Sequence, residues 1–102
     1  MREYHELHIY PQQMEHDEAY IVGTHAGLVA LRDALTKAIE RNNAVKCSAM
    51  PNDGEGYWVL IAPVDPATFE SMDRPYSCPR EDEPHGKWPH ELGFDWAAAP
   101  EF

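Results

Sequence analysis

The chain has 102 residues, which is room for one hydrophobic core, since a second domain would need about 50 residues of its own. Hydrophobic residues at 43% and charged residues at 25% fit a globular chain and exclude fibrous or fully disordered ones. Eight Lys and Arg against 18 Asp and Glu leave a net charge of −10, a sign that repels phosphate backbones and anionic lipids and argues against direct nucleic-acid or membrane binding.

Two cysteines, Cys47 and Cys78, are too few for a disulfide scaffold, and the opening residues Met1 to Glu6 contain no apolar signal region. The longest apolar run, Tyr57 to Pro63, falls far short of the roughly 20 residues that span a bilayer. The expectation is a soluble, reduced, cytoplasmic protein. Composition then changes near residue 63: residues 63–102 hold seven of the nine prolines. This divides the chain into a compact core, 1–62, and an acidic, aromatic-containing tail, 63–102, expected to dock on it.

From Tyr4 to Tyr10 the residues alternate with a period of two, which predicts a strand that Pro11 stops. Ala19 to Val22 is a second β-rich run ending at Gly23, so the two form a hairpin across Gln12 to Asp17. Thr24 is a preferred N-cap, and after it Leu28, Leu31, Leu35, Ala38 and Ile39 recur at helical spacing. These are expected to face the core, with Ala30, Asp33, Lys37 and Arg41 wet and Asp33 paired to Lys37 one turn on. Asn42-Asn43 ends the helix.

Val45 to Met50 and Tyr57 to Ala62 read as strands joined by the turn Pro51 to Gly56. A six-residue run that is apolar on both faces predicts that Tyr57 to Ala62 is a central strand. Its second face, through Trp58 and Leu60, then needs cover from the tail or a partner. In the tail, Asp65 to Asp73 allows one short helix with a proline in its first turn. Prolines 75, 79, 84 and 89 forbid regular structure beyond it. Tyr76, Trp88, Leu92, Phe94 and Trp96 nevertheless predict a docked wrap, while residues 97–102 carry no expectation. The fold class is α+β: a ββαββ order, a four-stranded mainly antiparallel sheet, one long helix on one face and a proline-rich C-terminal wrap.

Candidate chemistry is sparse. Cys78, His85 and His90 are the nearest approach to a metal-ligand set, but they lack paired spacing, so no metal and no cofactor is expected. Gly23, Thr24, His25 and Gly27 lie where a strand enters a helix, and free N–H groups there can bind an anion or nucleotide. Plain capping explains the same residues. Neither cysteine has a histidine at telling spacing and no GxSxG motif occurs, so an enzyme is not favoured. Asp53, Glu55, Glu81, Asp82 and Glu83 form the sharpest acidic clusters. Loop carboxylates of this kind can imitate phosphates and engage a groove lined with Lys and Arg. The leading expectation is a non-enzymatic binder of a larger basic protein, of inhibitor, immunity-protein or antitoxin type, contacting it through those five acids with Trp58 and Trp88. The alternatives are a small-ligand module at residues 23–28 and a subunit of a homo-oligomer, as small as a homodimer.

Overall fold

A computed structural model describes residues 6–14, 16–73 and 86–102. It is a small α+β domain in the order β1 (Leu7–Tyr10), β2 (Tyr20–Gly23), α1 (His25–Arg41), β3 (Val45–Ala49), β4 (Tyr57–Ile61) and α2 (Pro66–Glu70), followed by 3₁₀ turns at Pro89–Glu91 and Trp96–Ala98. No helix among the described residues is long and apolar enough to cross a membrane.

The expected four-stranded sheet is replaced by two antiparallel two-stranded sheets, β1–β2 and β3–β4. Among the described residues they are joined by one parallel bridge, Glu6 to Met50, where the Leu7 N–H donates to the Met50 carbonyl at 3.0 Å. The next bond of a parallel ladder would run from the Asn52 N–H to the Leu7 carbonyl. Both groups are diverted, since Asn52 donates to His8 Nε2 at 3.2 Å and the Tyr57 hydroxyl donates to the Leu7 carbonyl at 2.7 Å. Side-chain chemistry thus ends the ladder beyond Leu7 among the described residues, and β1 and β2 leave with Ile9, Tyr10, Tyr20, Ile21 and Val22 exposed.

Helix α1 begins where Thr24 Oγ1 accepts from the Gly27 N–H at 3.2 Å and ends at Asn42, which adopts the left-handed conformation with φ 53°. Its packed face is the expected one only at Leu31 and Ala38, and Ala30, expected to be wet, is buried. Gly27, Ala30, Leu31, Ala34 and Ala38 are buried, whereas Leu28 and Leu35 are each 43% exposed and Ile39 is 74% exposed. The cause is proximity: Ala30, Ala34 and Ala38 close directly on Val45 and Cys47, where larger side chains would hold helix and strand apart. Asp33 pairs with Arg32 and Lys37 with Glu40, in place of the expected pair between Asp33 and Lys37.

Strand β3, not β4, is the interior strand. Its Val45, Cys47 and Ala49 are buried against α1, and a second cluster joins Ala49 to Leu7 and Leu31. Along its outer edge, the Lys46 N–H donates to Pro100 O at 2.9 Å and the Phe102 N–H donates to Lys46 O at 3.0 Å. The last residues of the chain therefore lie alongside β3, and Ala99 is buried behind them. Trp88, Phe94 and Trp96 are half-buried; the Phe94 and Trp96 rings pack 5.3 Å apart, and Trp96 Nε1 donates to Pro89 O at 3.2 Å. Strand β4 pairs only with β3 among the described residues, so its expected central place becomes an edge.

Candidate protein-docking surface

The β3–β4 hairpin brings some of the expected partner residues together. Its connection turns at Gly54, whose φ of 83° suits glycine, and the Gly54 N–H donates to Pro51 O at 3.2 Å. Asp53 and Glu55 stand exposed on this turn, and Asp53 Oδ1 also accepts the Glu55 N–H at 3.0 Å. One Asp53 oxygen therefore holds the turn in shape, which orients the Asp53 carboxylate and sets the backbone position from which Glu55 projects. Glu81, Asp82 and Glu83 lie outside the described residues, as do Cys78 and His85.

Two residues beyond the turn, alternation along β4 sets Tyr57, Val59 and Ile61 toward the core and Trp58 and Leu60 away from it. Trp58 is 49% exposed and Leu60 is 47% exposed. They lie across from Ser48 and Lys46, and Lys46 Nζ sits 4.8 Å from the Trp58 ring centroid in a cation–π contact. The same ammonium reaches the Ala97 carbonyl at 3.5 Å. The outer face of the hairpin is thus an aromatic–aliphatic pair with one ordered cation and an acidic turn at its end. Trp88 is placed elsewhere: its backbone N–H donates to Glu91 Oε1 at 3.3 Å, and no ring contact joins it to Trp58 among the described residues.

The strand-to-helix junction has a packing explanation. The Thr24 N–H donates to Glu6 O at 3.1 Å, a side chain on Gly23 would come within 2.6 Å of that oxygen, and one on Gly27 would fall on the same carbonyl. Both glycines let the Glu6 backbone lie against the start of α1. A shallow depression of about 240 Å³ is lined by Glu6, Leu7, His8, Val22, Gly23, Thr24 and Asn52, while exposed His25 and buried Gly27 are not among its lining residues.

Reactive groups are few. Cys47 is buried, and burial, with the nearby Glu101 carboxylate second, raises its thiol pKa, which makes it a poor nucleophile at neutral pH. His90 Nε2 lies 3.8 Å from Glu91 Oε1, and among the described residues no three His, Cys, Asp or Glu side chains are placed to hold a metal ion. Comparison with protein families, with curated proteins and with solved structures gives no match.

Two exposed features had no counterpart in the sequence expectations: the stacking of Lys46 on Trp58 on the hairpin, and, on α1, the outward stripe of Leu28, Leu35 and Ile39. The first had a signal, because Lys46 and Trp58 occupy alternating positions with the same outward parity in adjacent strands.

Proposed function

We propose that this chain is a small acidic, non-enzymatic module that binds a larger basic protein, with the outer face of the β3–β4 hairpin as its docking surface. One observation carries the reading: half-exposed Trp58 and Leu60 share a hairpin with Asp53 and Glu55, which stand exposed on its turn with the Asp53 carboxylate bonded to the Glu55 N–H. Protein interfaces commonly combine an apolar centre rich in aromatic residues with a polar rim. Here the rim is anionic, and the net charge of −10 extends the attraction for a cationic partner beyond contact distance. The buried, deactivated Cys47 supports the non-enzymatic part of the reading.

The two parts of the surface have separable roles. Acids at a rim steer encounter and act mainly on the association rate, whereas a desolvated tryptophan resists departure and acts on dissociation. The test begins with a basic protein captured by the full chain from the native lysate, followed by rate measurements on the purified pair. Replacing Asp53 and Glu55 by Asn and Gln is expected to slow association and flatten its salt dependence. Trp58→Ala is expected to speed dissociation by about tenfold or more while the fold persists. Unchanged rates in both variants would contradict the proposal.

A further inference from the structure

Hydrogen-bond parity identifies which backbone groups of β4 face away from β3. In an antiparallel pair, residues alternate between those bonded to the partner strand and those whose N–H and C=O point outward. Lys46 spends both groups on Pro100 and Phe102, so it belongs to the outward set on β3, and so does its cross-strand neighbour Leu60 on β4. Trp58, opposite Ser48, shares that parity. Tyr57, Val59 and Ile61 therefore carry the ladder to β3, and the N–H and C=O groups of Trp58 and Leu60 line a free edge with no partner among the described residues.

The chain treats its other long edge differently. Beside β3, Pro100 and Phe102 occupy the Lys46 position and Leu7 occupies Met50. Beside β4 no such cover is present among the described residues, and the strand Tyr-Trp-Val-Leu-Ile has neither the proline nor the charged residue that commonly guards an edge. Exposed carboxylates flank it in sequence, Asp53 and Glu55 before it and Asp65, which caps α2, and Glu70 after it.

We infer that the free edge of β4 is a strand-docking site for an extended segment of a partner protein, apolar at alternate positions and bracketed by Lys or Arg. This rests on the basic-partner reading and adds the mode of docking: main-chain bonds to Trp58 and Leu60 supply the pairing, and the flanking acids select the charge of the incoming strand. Because acids stand at both ends, a segment with bases at both ends matches the edge in either direction. A second copy of this chain does not. Antiparallel pairing of β4 with itself about Val59 brings the Asp53 side of each copy toward the Asp65 side of the other, acid against acid.

The probe is a synthetic peptide of alternating valine and threonine with two lysines at each end, added at millimolar concentration to the isotope-labelled full chain. Amide exchange at Trp58 and Leu60 is expected to slow by about tenfold, with Tyr57, Val59 and Ile61 little changed. A glutamate-ended peptide, and a lysine-ended one methylated on alternate backbone nitrogens, are expected to give no protection. Equal protection by either control, or none from the lysine-ended peptide, overturns the inference. So does a β4-mediated dimer, seen as sedimentation above the monomer that Leu60→Pro abolishes. If the native basic partner still binds with salt-dependent rates but ignores Leu60→Pro, edge docking falls while the basic-partner reading stands. If the peptide pairs without regard to its charge, both fall.

Discussion

Strands β3 and β4 belong to one hairpin and are treated in opposite ways by the rest of the chain. The inner face of β3 is sealed by the alanines of α1, and its second edge is met at Lys46 by the C-terminal residues and at Met50 by Leu7. Its partner β4 has one face half-exposed and one edge unpaired among the described residues. Helix α1 repeats the contrast, with Ala30, Ala34 and Ala38 packed inward and Leu28, Leu35 and Ile39 facing out. Small side chains let α1 close on β3, with Leu7, Leu31 and Val45 the large side chains buried beside them, while Leu28, Leu35, Ile39, Trp58 and Leu60 are left for solvent or a partner. Apolar size alone therefore does not mark the core.

The sharpest way to break this contrast uses proline as a probe of backbone direction. Val59→Pro removes an N–H that β3 needs and is expected to cost about 3 kcal/mol or more. Leu60→Pro removes one that points outward and should leave a folded hairpin, because proline is tolerated at such edge positions. Chemical denaturation of the two variants checks this, and equal destabilisation would place the ladder on the wrong residues.

A smaller effect separates the two faces of α1. Ala34 is fully buried against Val45 and Cys47, so Ala34→Leu should overpack the core and destabilise by about 1–3 kcal/mol. Leu35, one position on and 43% exposed, should tolerate Leu35→Ala for less than about 1 kcal/mol. Thermal melts of both variants test the ordering, and a larger loss at Leu35 than at Ala34 would reverse the helix.

The smallest effect is a pH dependence of the sealed side. Burial, ahead of Glu101, raises the Cys47 pKa above 9.0; burial, ahead of Cys47 and Tyr10, raises that of Tyr57 above 10.0. The folded state favours both neutral forms. Their contribution is fully present below about pH 9 and is lost as pH rises through the folded pKa values, since the unfolded chain gives up its protons first. Melting temperature should hold steady from neutrality to that point and then decline, less steeply in Tyr57→Phe. A melting temperature that rises through the same range would contradict the burial of these groups.

Much of the local structure was legible in the residues themselves. Thr24 as a cap, Asn42 as a left-handed helix end, the glycine turn after Pro51 and the alternation of Val45, Cys47 and Ala49 each have a short-range cause. Relations between distant segments were not. Leu28, Leu35 and Ile39 form one apolar stripe on α1 and Ala30, Leu31, Ala34 and Ala38 another, and the choice between them depends on how near β3 comes. The unbroken apolar run of β4 reads as a strand buried on both faces, yet nothing local tells whether a neighbour will cover its second edge. Pairing of residues 100–102 with Lys46 leaves no periodic trace at all. At the candidate surface, Asp53, Glu55 and Trp58 were visible because turn chemistry and strand parity are local, whereas the placement of Trp88 away from them depended on the path of the tail.

Residue-resolved amide exchange in the free protein tests the central contrast most directly. Lys46, bonded to Pro100, and Tyr57, Val59 and Ile61, bonded into the ladder, should be protected, while Trp58 and Leu60 should exchange at rates near those of an unstructured chain. Slow exchange at Trp58 and Leu60 together with fast exchange at Lys46 would mean that the covered and open edges have been assigned the wrong way round.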